Sequence, residues 1–182
     1  DYKLVHVDLT KREQKADAFV ALNKMGKVPT IQDGEVVVSE TAAIAMYLAD
    51  RYALGRLAPL PDDPKRGAYF RWIAYAPSVI EPGCLAQRLK LQVDTGAIGW
   101  GSYADMLDTI TGAIGDGPWL LGNDFSMADI VFGGTVRWMV MFGMLEKRPE
   151  YLAYIERLNA RPAAKKAREL DDEFAAKHEK PA

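Results

Sequence analysis

Between Gly55 and Pro64 the chain places Pro59, Pro61 and Pro64 beside Asp62 and Asp63. Prolines fix φ and withhold backbone donors, so this stretch supports neither a helix nor a central strand, and it divides the chain in two. The residues before it carry alternating strand and helix signals, and those after it carry helix signals alone. The expectation is therefore an α/β domain over residues 1–54, a linker over 55–64 and an all-helical domain over 65–182. A length of 182 residues lies near the size at which a single core gives way to two.

In the first part, Tyr2 to Leu9 alternates polar and apolar residues over part of its length and is rich in β-formers, which predicts a strand. A polar stretch leads into a short helix over Ala18–Leu22, ended by Gly26. The runs Val28–Gln32 and Glu35–Ser39 flank Asp33-Gly34, the pattern of a β-hairpin. A helix over Thr41–Tyr52 comes next, with Ile44, Tyr47, Leu48 and Arg51 at spacings of three and four. Beyond the linker, Lys65–Val93 is helical in pattern but carries Pro77 and Pro82, which predicts a bent helix or two. Helices over Tyr103–Ile114, Met127–Phe142, Pro149–Asn159 and Ala163–Lys177 complete a five-helix domain.

Composition narrows the function classes. With 49% hydrophobic and 26% charged residues the chain is an ordinary globular protein. A net charge of −2 on 23 basic and 25 acidic residues leaves no footprint for nucleic acid or an anionic membrane, and Lys165, Lys166 and Arg168 read as one solvated helix face. Cys84 is the only cysteine, so no intrachain disulfide forms and a disulfide-built secreted scaffold is excluded. No uncharged run approaches a membrane span and the N-terminus lacks the order of a signal peptide, so a cytoplasmic location is expected.

Three motifs carry chemistry or folding information. In Gly26-Lys27-Val28-Pro29-Thr30 a proline opens a strand. A cis Val28-Pro29 bond would turn the backbone outward and present the N–H and C=O of Val28 to an extended peptide, whereas a trans proline would simply start an edge strand. In Ser39-Glu40-Thr41-Ala42-Ala43-Ile44 a strand passes into a helix. Open amides there favour a carboxylate, the Thr41 hydroxyl adds a donor and the Glu40 carboxylate accepts an ammonium group, so the junction could hold both charges of an α-amino-acid end. The alternative is a plain N-cap by Ser39 or Glu40. In Trp119–Ile130, Ser126 as N-cap puts Asp129 at the third helical position, a shortened capping box, with Phe125 and Ile130 as its staple, and this segment serves folding.

In order and spacing these motifs resemble the glutathione transferase family, over about residues 2–170, and Arg157-Leu158-Asn159-Ala160-Arg161-Pro162-Ala163 is typical of its bacterial members. The resemblance implies a thioredoxin-like α/β domain followed by an all-α domain, with glutathione as co-substrate and no metal. It implies that Val28 pairs through its backbone with the cysteinyl part of glutathione next to a structural cis-proline at Pro29. Glu40 and Thr41 would then hold the γ-glutamyl group, with Thr in place of the commoner Ser. Lys27 is either a partner for the glycyl carboxylate or a solvated loop charge. The implied activity is conjugation of the glutathione thiolate to a hydrophobic electrophile by a cytoplasmic homodimer that engages neither nucleic acid nor membrane. Isomerase, dehalogenase, peroxidase and reductase activities, and non-catalytic interaction modules, also occur on this scaffold.

The family's thiolate-stabilising Tyr, Ser or Cys lies near the end of a first strand, inside the sheet, and nothing here matches it. The catalytic residue is therefore expected upstream of Asp1, in roughly 20 to 30 residues supplying one strand and one helix. Tyr2 heads an outer strand, and Cys84 reads as a small buried hydrophobe with only Arg88 at helical spacing. His6 and His178 form no metal pair. Trp138, Met139, Met141, Phe142 and Met144 make either an adaptable apolar surface or core. Tyr69, Phe70, Trp72 and Tyr75 open a helix that, in the family, lines the electrophile site and the dimer interface.

Overall fold

A computed structural model of the chain describes residues 2–115 and 117–178. The chain divides into two compact units, residues 1–58 and 59–182. The side chain of His178 lies outside the described residues.

In the first unit the strand expected over Tyr2–Leu9 does not form. Residues 2–8 belong to no ladder, and Tyr2, Leu4 and Val5 are exposed. An alternating pattern becomes a strand only where a neighbour supplies backbone partners and a face to bury, and the described residues supply neither. Asp8 closes the stretch: its Oδ1 accepts the Thr10 hydroxyl at 2.6 Å and the Thr10 N–H at 2.9 Å, and Glu13 Oε2 accepts the Asp8 N–H at 2.8 Å. The Thr10 hydroxyl, then Lys11, holds the Asp8 carboxyl well below the usual carboxylate range. A single 3-10 turn (Glu13–Lys15) leads into helix α1 (Asp17–Leu22).

Strands β1 (Thr30–Asp33) and β2 (Val36–Ser39) pair antiparallel, with Thr30 opposite Ser39 and Asp33 opposite Val36. The tight turn is Gly34-Glu35 rather than Asp33-Gly34, and Gly34 takes the left-handed φ of 62° that such turns require. Helix α2 (Thr41–Tyr52) lies on this hairpin and buries Ile44, Ala45 and Ala49.

The second unit holds α3 (Arg66–Tyr75), α4 (Glu81–Arg88), α5 (Tyr103–Ile114), α6 (Met127–Met141), α7 (Pro149–Ala160) and α8 (Pro162–His178). The bend expected at Pro77 and Pro82 is a π-turn over Ala76–Ile80 that joins α3 directly to α4. Pro77 cannot complete the α-ladder, and a wider turn accommodates its ring, while the Ser78 hydroxyl donates to the carbonyl of Ala74 at 2.7 Å. Tyr69, Ile73, Ala76, Ile80 and Cys84 form one fully buried stripe across the junction.

Helix α6 packs against both α3 and α7. Phe132 meets the Trp72 ring edge-on at 5.6 Å between centroids. A Cβ on Gly133 would stand 2.2 Å from Leu158 Cδ1 and 3.0 Å from Tyr154 Cε1, so glycine is what lets α6 and α7 approach. At the start of α6, Ser126 and Asp129 form a reciprocal capping box. Asp129 is fully buried, and its Oδ1 accepts the N–H of Leu120 at 2.9 Å and the hydroxyl of Tyr154 at 2.8 Å. Its Oδ2 accepts the N–H of Ser126 at 2.9 Å and the Ser126 hydroxyl at 3.2 Å. Burial raises the Asp129 carboxyl above its ordinary pKa, and these four donors oppose that rise.

Two variants and reagents probe the helical unit. Asp129→Ala strands four buried donors and is expected to cost about 3 kcal/mol or more in urea unfolding, with Asp129→Asn recovering only part because one acceptor becomes a donor facing an amide. A loss below about 0.5 kcal/mol would remove the carboxylate from the centre of this packing. Burial, then the charge of Glu81, pushes the Cys84 thiol up to about 12. Folded protein at pH 8 is therefore expected to resist a thiol-specific reagent that labels it fully in denaturant; rapid labelling of the folded state would contradict the assignment.

Candidate functional site

The register of the hairpin sets the site. Because Thr30 pairs with Ser39, the segment just before β1 and the segment just after β2 arrive at the same end of the sheet. The first brings Lys27, Val28 and Pro29, and the second brings Glu40 and Thr41.

The Val28-Pro29 peptide is cis, and β1 begins one residue later, at Thr30. Val28 is 43% exposed, and neither its N–H nor its C=O has a hydrogen-bond partner among the described residues. The loop owes its shape to Asn23, a buried polar residue that sequence reasoning missed. Its Nδ2 donates to the carbonyl of Lys27 at 2.9 Å and to Thr30 Oγ1 at 3.2 Å, while its Oδ1 accepts the N–H of Met25 at 3.1 Å. The only signal in the sequence was an Asn directly after an apolar helix, a common helix end.

At the other side, Glu40 sits at φ 69°, ψ 121°, a left-handed backbone unusual for a residue with a side chain. No side chain caps α2, so the plain N-cap reading does not apply. The first turn of α2 leaves the N–H groups of Thr41, Ala42 and Ala43 open, since Glu40 O accepts first from Ile44, at 2.9 Å. Glu40, Thr41 and Lys27 are all exposed. One end of the hairpin thus presents a free peptide edge, a carboxylate, a hydroxyl, three amides and an ammonium group. That set complements an extended peptide bearing a zwitterionic end and a further carboxylate.

At the far end of the same elements, Asp33 Oδ2 accepts from Tyr47 Oη at 2.8 Å and from Tyr52 Oη at 2.5 Å, and forms an ion pair with Arg51 Nε at 2.8 Å. The Tyr52 hydroxyl, then that of Tyr47, lowers the Asp33 carboxyl below its ordinary pKa. Nothing in the helical spacing of Tyr47 and Arg51 pointed to a shared partner on β1.

Other candidates lie apart from this set. Tyr2 is 82% exposed on the unpaired segment, and Cys84 is buried in α4. Tyr69 and Trp72 belong to the core of the helical unit, leaving Phe70 exposed and Tyr75 half-buried. Trp138, Met141 and Phe142 are exposed, with the Trp138 and Phe142 rings stacked at 5.2 Å. Among the described residues no group of three His, Cys, Asp or Glu side chains is placed to hold a metal ion, and no helix is long and apolar enough to cross a membrane.

Comparison with known proteins gives this geometry its context. Residues 1–50 match the glutathione S-transferase N-terminal domain, and residues 86–157 match the glutathione S-transferase C-terminal domain. A glutathione S-transferase of Arabidopsis thaliana is 28% identical over 181 residues, covering 90% of this chain and 71% of its own. A solved glutathione transferase from Methylococcus capsulatus is 28% identical, with a TM-score of 0.68 over 85% of this chain and 78% of its own. The fold is shared with a glutathione transferase of Phanerochaete chrysosporium, solved in complex with oxidized glutathione, at 20% identity and a TM-score of 0.75 over 95% of this chain and 86% of the other. A thioredoxin-like domain followed by an all-helical one is the fold class. With both of the family's domains matched in order and relatives aligned along nine-tenths of its length, this chain belongs to the glutathione S-transferase family.

Proposed function

We propose that the chain binds glutathione at the hairpin end of its first unit and, as a transferase, joins the glutathione sulfur to a hydrophobic electrophile. The observation that carries this reading is the junction at Glu40: an exposed carboxylate on a left-handed backbone that caps nothing, beside Thr41 and three open amides. Glu40 takes the ammonium group of the γ-glutamyl end, and Thr41 with the amides of 41–43 takes its carboxylate. The N–H and C=O of Val28 pair with the cysteinyl backbone as a strand edge would. The Lys27 ammonium reaches the glycyl carboxylate.

Held this way, the thiol stands at a fixed place, which supplies the proximity part of the rate enhancement. The thiolate is the nucleophile, so a donor or positive field at the sulfur completes the chemistry. In this reading that group is neither the buried Cys84 nor Tyr2, and the edge of β1 opposite β2, which has no partner among the described residues, is open to a further strand that would carry it. A homodimer goes with the same reading, and sedimentation equilibrium tests it. The second reading, a glutathione-binding module without catalysis, draws on the burial of Cys84 and on Tyr2 standing outside any ladder.

Glutathione titration by calorimetry tests the site. The double variant Glu40→Ala, Thr41→Ala is expected to weaken binding by about 2 to 4 kcal/mol, about thirtyfold to nearly a thousandfold, since a charge-assisted pair and a hydroxyl donor are both lost. Unchanged affinity in that variant would remove the assigned residues from the site. Conjugation of a chromogenic aryl halide is expected in the transferase reading. Glutathione binding with no turnover across several electrophile classes would favour the module.

A further inference from the structure

We infer that Asp33 is a positioning residue for the glutathione site: by gathering Tyr47, Arg51 and Tyr52 onto one carboxylate oxygen, it sets the angle at which α2 offers Glu40 and Thr41. The inference rests on the function proposed above.

The mechanics come from the layout of the first unit. β1 supports the Val28 loop at one end and carries Asp33 at the other. α2 carries Thr41 at its start and the three partners of Asp33 in its second half, Tyr47 at mid-helix and Arg51 and Tyr52 at its finish. Strand and helix each hold half of the site and are tied together at the end remote from it. The near connection, Glu40, is a single residue with left-handed backbone, a corner about which α2 can tilt. From Thr41 to Arg51 the helix spans about 15 Å, so holding its far end fixes the direction of its first-turn amides.

Packing alone does this poorly. The buried face of α2 is Ile44, Ala45 and Ala49, so two of its three contact residues are methyl groups that permit sliding and tilting. Directional bonds supply what the alanines do not. An isolated exposed Arg51–Asp33 pair would contribute little. Here the same oxygen also receives two phenols, at 2.8 and 2.5 Å, and the Arg51 Nε lies 3.1 Å from the Tyr52 oxygen, which closes the network. The Arg51 guanidinium further lies 6.0 Å from the Tyr47 ring centroid and 5.5 Å from that of Tyr52. These hydroxyls and the cation all favour the charged carboxylate.

Two variants test it by calorimetric titration with reduced glutathione: Asp33→Asn, and the double variant Tyr47→Phe, Tyr52→Phe, which leaves the hairpin turn untouched. Each is expected to raise Kd about tenfold, because apparent affinity falls with the fraction of molecules in which α2 is correctly set. Far-UV circular dichroism and a cooperative thermal transition are expected to persist. Combining the variants is expected to add little, since both break one network. A Kd within about twofold of the parent in both would overturn the inference. If the parent chain binds no glutathione, the proposed function fails, and hydrogen exchange decides the positioning role separately. Faster exchange in Asp33→Asn across residues 45–48 as well as 50–52 is the expected result; acceleration confined to 50–52 would mean local fraying and would overturn it.

Discussion

The helical unit is organised around one carboxylate shut away from solvent. Asp129 carries a charge into a site where desolvation opposes it, and the arrangement is tolerable because both oxygens are filled by donors from three separate stretches of chain. One donor lies in the loop before α6, two at the helix cap and one on α7. A buried anion of this kind is demanding: it accepts no approximate partner, so it specifies where the loop, the cap and Tyr154 stand relative to one another. The missing side chain at Gly133 serves the same contact, since α7 must come close for the Tyr154 hydroxyl to reach Asp129.

Much of this was legible in the sequence where the interactions are local. The pairing of Ser126 with Asp129 spans three residues, and its geometry comes from the helix pitch. The hairpin around Gly34 and the helix after Ser39 were readable for the same reason. Tyr154 was not, because its partner is 25 positions away and its sequence neighbourhood is that of an ordinary amphipathic helix. The segment Tyr2–Leu9 shows the converse. Its pattern is that of a strand, yet pairing is a property of two segments, and the second is not among the described residues.

The site divides along the same line. Val28, Pro29, Glu40 and Thr41 could be named because each sits at a junction whose residue types are chemically unusual: a proline opening a strand, and an acidic residue opening a helix. What the sequence did not disclose is how those junctions are held. Asn23 supports the Val28 loop from the end of α1, and Asp33 reaches α2 across the hairpin. Both are small polar residues that look at home in any loop. Their roles exist only once backbone elements have brought their partners within 3.2 Å.

The π-turn at Ala76–Ile80 also keeps count. From Tyr69 to Cys84 is fifteen positions, and at α-helical pitch fifteen steps overshoot whole turns by about 60°. The wider turn takes back most of that drift, which is why two residues so far apart on a prolonged helix can both face the same interior. The segment works as a phase correction: it takes one extra residue into the helix, so that the side chains beyond it keep the face of those before it.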